Sequence, residues 1–157
     1  MDGPSNRNVS TKLLCRHLLT LIVQCTRHPP IFFHPTNNKR RILRVEILGT
    51  VVSRERKPSF LKFLLDDGTG VIPCVIWLNQ NSLHWKFARI QPSDLKLMAE
   101  MAMEDEETTV VGSVVRVRGQ VCMYRDEIQI KVRDVMEERD PNAQTLHWVD
   151  CVRLAQT

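Results

Sequence analysis

Apolar and polar positions alternate along this chain with two periods, and each period predicts an element. From Ser113 to Tyr124 the period is two: Val115, Val117 and Val121 fall on one side, with Gly119 in phase. Arg116, Arg118, Gln120, Cys122 and Tyr124 fall on the other. After a short turn, Ile128, Ile130 and Val132 face in, while Glu127, Gln129, Lys131 and Arg133 face out. This pattern predicts two half-buried strands. Ile42 to Ser53 predicts another, with Val45, Ile47 and Val51 on one face and Arg44, Glu46 and Thr50 on the other. Gly49 sits in phase with the apolar face, where a strand glycine marks a bulge or bend. Phe60 to Trp77 (FLKFLLDDGTGVIPCVIW) places two β-prone runs around Asp66-Asp67-Gly68-Thr69-Gly70. That predicts a hairpin, because Asp-Gly and Gly adopt positive φ at low steric cost.

Helical spacing appears three times. Residues 10–26 predict a helix with Ser10 as N-cap and an apolar stripe of Leu14, Leu18, Leu21, Ile22 and Cys25. Pro29-Pro30 ends it, and His34 to Arg41 reads as a polar loop. Arg54 to Ser59 reads as a polar linker. Pro92-Ser93-Asp94 starts a second helix carrying Leu95, Leu97, Met98, Ala99, Met101 and Ala102, which ends in the acidic run Glu104 to Glu107. Asp140 then Pro141 is an N-cap followed by proline at the first helical position. The helix it starts, 141–155, carries Leu146, Trp148, Val149, Cys151, Val152 and Leu154. The order is helix, three strands, helix, two strands, helix. It predicts one domain over 1–157, mainly β: a five-stranded OB-fold barrel over 42–135 with flanking N-terminal and C-terminal helices and a helix between strands three and four. A generic five-stranded α+β domain fits the same spacing.

Composition narrows the function. The 157 residues are 43% hydrophobic and 25% charged, an ordinary globular balance. A net charge of +4 permits a polyanionic partner without requiring one. The five cysteines (Cys15, Cys25, Cys74, Cys122, Cys151) form no C-x-x-C pair and no zinc spacing, so they read as reduced thiols of a cytosolic or nuclear protein. The N-terminal MDGPSNRNVS has no signal-peptide pattern, and no apolar run reaches membrane-spanning length. Lys39-Arg40-Arg41 is short for an import signal and reads as solvated loop charge. No phosphate loop, nucleophile elbow or metal motif occurs. Asp66-Asp67 sits in a turn, where Asp serves the backbone, and His17, His28, His34, His84 and His147 show no catalytic spacing. The expectation is a binding module with no cofactor, no metal and no membrane partner.

Single strands are held by aromatic platforms and by basic groups along the phosphates, with a stacked base contributing about 1–3 kcal/mol. The OB-fold face built on strands two and three is the usual site. Trp77, at the end of the third strand, is a candidate platform, its structural alternative being a Trp packed under the barrel rim. Tyr124 is a second candidate and shares a strand face with Arg118. Arg116, Arg118 and Arg125 are candidate phosphate contacts, while Lys131 and Arg133 read as a solvated face paired with Asp126 and Glu127. In the last helix Leu146, Val149 and Arg153 form one stripe, and Trp148, Cys151, Val152 and Ala155 a neighbouring one. That apolar surface is wider than packing on one barrel needs. Leu146, Trp148, Val149 and Val152 are the expected partner interface, unless the first helix covers the second stripe.

Specific residues then carry a resemblance. Val45-Glu46-Ile47-Leu48-Gly49-Thr50-Val51-Val52, the turn Asp66 to Gly70, Cys74-Val75-Ile76-Trp77 and Val115-Arg116-Val117-Arg118-Gly119 resemble the OB-fold of the STN subunit of the CST telomere-capping complex. Glu138-Arg139-Asp140-Pro141-Asn142-Ala143 with Leu146-His147-Trp148 resembles its short plant form. The resemblance implies a non-enzymatic nuclear protein of chromosome ends. It would bind telomeric single-stranded DNA, a small OB-fold TEN subunit and a large CTC scaffold, and would support lagging-strand fill-in by polymerase α–primase. It also implies DNA contacts at Trp77 and Tyr124. Cys122 stands where some relatives carry a basic residue. Larger relatives add winged-helix domains, for which the chain to Thr157 leaves no room. Related modules leave two alternatives: a middle subunit of replication protein A, which usually adds a winged helix and a phosphorylatable tail, or an RNA-binding OB module.

Overall fold

The computed structural model describes residues 10–25, 29–78 and 92–156; His28, His84 and the N-terminal residues 1–9 lie outside them. The predicted hairpin forms as β6 (Phe60–Asp66) and β7 (Val71–Trp77), in antiparallel register from Phe60↔Trp77 to Asp66↔Val71. Its turn is held by its own acids: Asp66 Oδ1 accepts from Gly68 N–H at 2.8 Å, and Asp67 Oδ1 accepts from Thr69 N–H at 2.9 Å. Gly68 adopts φ +87°, which a Cβ would strain.

β5 (Arg44–Arg56), β8 (Val114–Tyr124) and β9 (Glu127–Glu137) complete a closed barrel in the order β5-β6-β7-β9-β8, with β8 pairing back to β5. Five strands leave no open edge inside the barrel. The interior holds Val45, Ile47, Val51, Leu61, Phe63, Leu65, Ile72, Ile76, Val115, Val117 and Ile130, all buried. The alternation of β8 is as expected. On β9, Ile130 is buried while Ile128 and Val132 are half-buried against the core. The register steps from Gly119↔Val132 to Arg118↔Asp134, so Arg133 is an extra residue and Val135 turns inward instead. The helix α2 (Pro92–Thr108) lies between β7 and β9, tied by Val135 N–H to Asp105 Oδ1 at 3.1 Å.

The N-terminal expectation is corrected. Residues 10–26 do not form one helix: β1 (Thr11–Lys12), a five-residue helix α1 (Cys15–Leu19) and β2 (Ile22–Gln24) replace it. Ser10 is not the cap; Leu14 occupies that position. Tertiary partners outcompete local helix formation. β1 pairs in parallel with β5 (Thr11↔Val45), and Leu13 N–H donates to Glu46 O at 3.2 Å. The hairpin turn then caps α1 from outside. Cys15 N–H donates to Asp67 Oδ2 at 2.7 Å and Arg16 N–H to Thr69 Oγ1 at 3.1 Å. Leu14, Leu18 and Leu21 are buried as the stripe predicts, but Ile22 and Cys25 are exposed.

The loop expected over His34 to Arg41 is also corrected. β3 (Ile31–His34) and β4 (Asn37–Ile42) form a hairpin there, and with β2 they make a separate three-stranded sheet. The linker expected from Arg54 is shorter, because β5 runs on to Arg56 with Glu55↔Lys62 and Arg56↔Leu61 in register. The last helix, α3, spans Ala143–Gln156. It begins two residues later than expected, since Pro141 and Asn142 form a turn that Asp140 holds: its Oδ1 accepts from Asn142 N–H at 2.9 Å and its carbonyl from Ala143 N–H at 3.1 Å. Among the described residues, no helix is long and apolar enough to cross a membrane.

Candidate nucleic-acid interface

Strand alternation decides which side chains the barrel shows to solvent. Leu61, Phe63 and Leu65 point inward, so Phe60, Lys62 and Leu64 point outward, opposite Trp77, Val75 and Pro73 of β7. β9 lies on the far side of β7 with Val75↔Lys131 in register. One row across the outer side of the sheet therefore reads Lys62, Val75, Lys131, two lysines flanking a valine that is only 5% exposed. The next row pairs Trp77 with Phe60, ring centroids 5.4 Å apart and planes at 59°. Lys62 was not visible as a candidate from the sequence; hairpin register places it there.

Trp77 also lines a cavity of about 360 Å³ between the barrel and α2. Met98, Met101, Ala102 and Asp105 line its helix side, at the spacing of one helical face. Arg44, Gln120, Lys131 and Arg133 line the barrel side. Burial pushes the Asp105 carboxyl up to about 6, against the lowering effect of its bond from Val135 N–H.

Tyr124 and Arg125 sit together elsewhere, at the β8–β9 tip. Arg125 and Asp126 form the two-residue turn with φ +50° and +62°, both in the left-handed region. Tyr124 is 56% exposed, and the Arg125 guanidinium carbon lies 5.2 Å from its ring centre. Glu127, opposite Tyr124, and Lys131, opposite Val75, are separated along β9 by on the order of 13 Å at about 3.3 Å per residue, and Trp77 lies further on along β7. The two aromatic candidates thus mark the two ends of a run of strand and are not one patch.

Arg116 and Arg118 are not part of that run. Both close on Glu46, which is buried on β5: Arg116 Nη1 to Oε2 at 3.0 Å and Arg118 Nε to Oε1 at 2.8 Å. Arg116 also reaches Glu138 at 3.2 Å. Lys12 extends the chain of charges, 4.0 Å from Glu46 and 2.9 Å from Asp150 on α3. Arg133, expected to pair with Asp126 and Glu127, instead has Asp134 Oδ2 3.9 Å from its Nε. Burial raises the Glu46 carboxyl, but the hydrogen bond from Arg118 and the charge of Arg116 outweigh it and hold the group below its ordinary 4.5. A depressed carboxylate stabilises the fold above its unfolded value and loses that contribution as pH falls through its folded value. Glu46→Gln should therefore cost about 1–2 kcal/mol at neutral pH. It should also flatten the loss of stability below about pH 4.5. Thermal melting of both forms across pH checks this; identical acid limbs would refute the role of Glu46.

α3 buries Ala143, His147 and Cys151, one stripe at four-residue spacing, against β1 and β5. Cys151 therefore belongs to the barrel side, not to the outward stripe that the sequence suggested. Its Sγ lies 3.3 Å from His147 Nε2. The helix end is held by Thr36 Oγ1 donating to Ala155 O at 2.9 Å and Arg40 to Leu154 O at 3.0 Å. Leu146, Trp148, Val149 and Val152 remain 40–60% exposed. α1 does not cover them; Trp148 instead leans over the hairpin turn, its Cζ2 3.5 Å from where a Gly68 Cβ would stand.

His17 of α1 and His34 of β3 pack ring to ring at 5.1 Å. Among the described residues, no group of three or more His, Cys, Asp or Glu is placed to hold a metal ion.

Comparison with known proteins matches this geometry to named families. The family described as OB-fold nucleic acid binding domain matches residues 45–138. The CST complex subunit STN1 of Arabidopsis thaliana is 47% identical over 116 residues, covering 74% of this chain and 72% of that protein. The counterpart from Ailuropoda melanoleuca is 35% identical over 118 residues, covering 72% of this chain but 31% of its own length. Among solved structures, the S. pombe Stn1–Ten1 complex superposes with a TM-score of 0.68 at 18% identity, covering 93% of this chain and 90% of that one. A replication protein A heterotrimer bound to ssDNA superposes with a TM-score of 0.66 at 15% identity, covering 95% and 97%.

Proposed function

The chain belongs to the STN1 family of CST complex subunits, built on an OB-fold nucleic acid binding domain, and from that premise we propose that it is a non-catalytic adaptor between single-stranded telomeric DNA and two protein partners. The small OB-fold TEN subunit docks on the exposed stripe of α3, and the large CTC subunit holds the pair. In the nucleus, at the chromosome end, the assembly caps the single strand and supports fill-in by polymerase α–primase. The observation that supports DNA binding best is the outer row of Lys62, Val75 and Lys131 beside the Trp77–Phe60 pair. The aromatic pair suits stacked bases, and the lysines beside it suit the phosphates.

In this reading Trp77 and Tyr124 stack bases at the two ends of the run, and Arg125 contacts phosphate beside Tyr124. Arg118, whose side chain is 43% exposed beyond its bond to Glu46, meets the strand at the margin. Arg116, 19% exposed and bound to both Glu46 and Glu138, contributes least. The isolated subunit binds weakly and loses affinity steeply with salt, because most of the attraction is to phosphate.

Trp77→Ala and Tyr124→Ala are each expected to weaken binding of a G-rich telomeric single strand by about 1–3 kcal/mol, roughly 5- to 150-fold. Fluorescence anisotropy across a salt series measures this. Tight binding that ignores salt, or variants that bind like the parent, would refute the assignment. Purification of the tagged full chain from nuclear extract tests the assembly. Recovery of a small OB-fold protein with a large multi-OB protein supports the adaptor reading; recovery of the replication protein A large subunit overturns it.

A further inference from the structure

The cavity beside Trp77 has a chemistry that the outer face does not need for general strand binding. Its walls are an indole and two thioethers, Met98 and Met101, which are polarisable and adapt to a flat ring. Its 360 Å³ lies at the lower end of the range for small-ligand pockets. Its barrel side carries three cations, Arg44, Lys131 and Arg133. The helix side carries one carboxyl, Asp105, on the same α2 face as the methionines. Its Oδ1 is fixed by Val135 N–H at 3.1 Å, which sets the direction of the group.

We propose that this cavity is a slot for one unstacked base of the bound single strand, with guanine preferred. The proposal rests on the reading that the chain binds single-stranded DNA. A base turned off the strand lies against Trp77 and between the methionines, while the phosphates on either side meet Arg44, Lys131 and Arg133. That is charge complementarity for a nucleotide and not for an apolar ligand, which would gain nothing from the three cations. Asp105 supplies the selectivity. A carboxylate only accepts hydrogen bonds, and guanine alone offers two adjacent donors, N1–H and the N2 amino group, on its pairing edge. Adenine and cytosine each offer one amino group there. Since burial places the Asp105 carboxyl near 6, the preference should be full above neutral pH and fade below it. The charges that act on Asp105 are Glu104 on its own helix and Asp134 of β9, while Arg44, Lys131 and Arg133 line the barrel side of the same cavity.

The test uses the full chain and a single-stranded DNA of mixed sequence, with each position in turn made abasic and each guanine in turn replaced by inosine. In the wild-type chain, one position should lose about tenfold in affinity when abasic. At that position the guanine-to-inosine change should cost about fivefold or more, the effect of one hydrogen bond to a charged group. Asp105→Asn, which keeps an acceptor for Val135 N–H, should erase the inosine effect and retain the abasic one. Met101→Glu at the mouth should erase both. Thermal melting establishes that each variant is folded. A flat abasic profile with DNA binding intact overturns the slot and leaves the broader reading standing. Undiminished guanine preference in folded Asp105→Asn overturns the role of the carboxyl. Absence of DNA binding by the wild-type chain overturns both readings at once.

Discussion

Replacing Trp148 and Val152 together with glutamate is expected to abolish co-purification with the small TEN subunit while leaving the barrel folded. The two halves of that expectation rest on opposite faces of α3. Ala143, His147 and Cys151 are 7%, 2% and 0% exposed and hold the helix to the barrel. Lys12–Asp150 pins its middle, and Thr36 and Arg40 hold its last carbonyls. None of these groups is touched by the substitutions. Trp148 and Val152 are 40% and 44% exposed, and with Leu146 and Val149 they make an apolar stripe with no cover among the described residues. Aromatic anchors at the centre of an interface dominate its energy. Two carboxylates desolvated against an apolar partner should cost at least about 4 kcal/mol, roughly a thousandfold in affinity. Co-expression pull-down and calorimetry read the loss. Melting should drop by only a few degrees, because Trp148 gives up one contact on the Gly68 turn. Retained binding by a folded double variant would refute this interface. Cys151→Glu supplies the contrast: a charge on the buried stripe should unfold the helix docking itself.

The sequence showed the barrel well because alternation, turn chemistry and in-phase glycines all agreed there. Where one face of a strand is buried, a period of two has a single physical meaning. It showed the N-terminus badly for the converse reason. Leu14, Leu18 and Leu21 have helical spacing and are buried, yet the backbone is strand, short helix and strand, because β5, Asp67 and Thr69 supply its hydrogen bonds from afar. No local pattern announces a partner 52 residues away. The same limit applies to the site. Outward orientation of Arg118 and Tyr124 was readable from alternation. The capture of Arg116 and Arg118 by Glu46 was not, since it needs the β5–β8 register that sets Glu46 opposite Arg118. Lys62 became visible only once it lay across from Val75, and the face shared by Met98, Met101 and Asp105 only once α2 was seated on β7 and β9.

Gly119→Ala should be among the most damaging single substitutions in the barrel, although it adds one methyl group. A Cβ at Gly119 would stand 2.3 Å from Lys131 O and 2.7 Å from Ile130 Cγ2. The nearer atom is backbone, so no side chain can swing aside to make room. β9 would have to move away from β8 at the place where the register already steps around Arg133. That is also where β7 joins β9 through Cys74↔Ile130 and Val75↔Lys131. A shift there opens the seam that closes the barrel and displaces Lys131 from the row beside Trp77. Overpacking of this kind against fixed backbone should cost about 4 kcal/mol, or a fall in melting temperature on the order of 10 °C for a domain of this size. Gly112 makes the matched control. It has φ +91° and nothing within 4 Å of its missing Cβ, so Gly112→Ala meets only the strain of the left-handed backbone, about 1 kcal/mol. Thermal melting of the two variants separates close approach from backbone strain. Equal destabilisation would mean that the β8–β9 seam yields freely, and that the glycine is there for flexibility instead of contact.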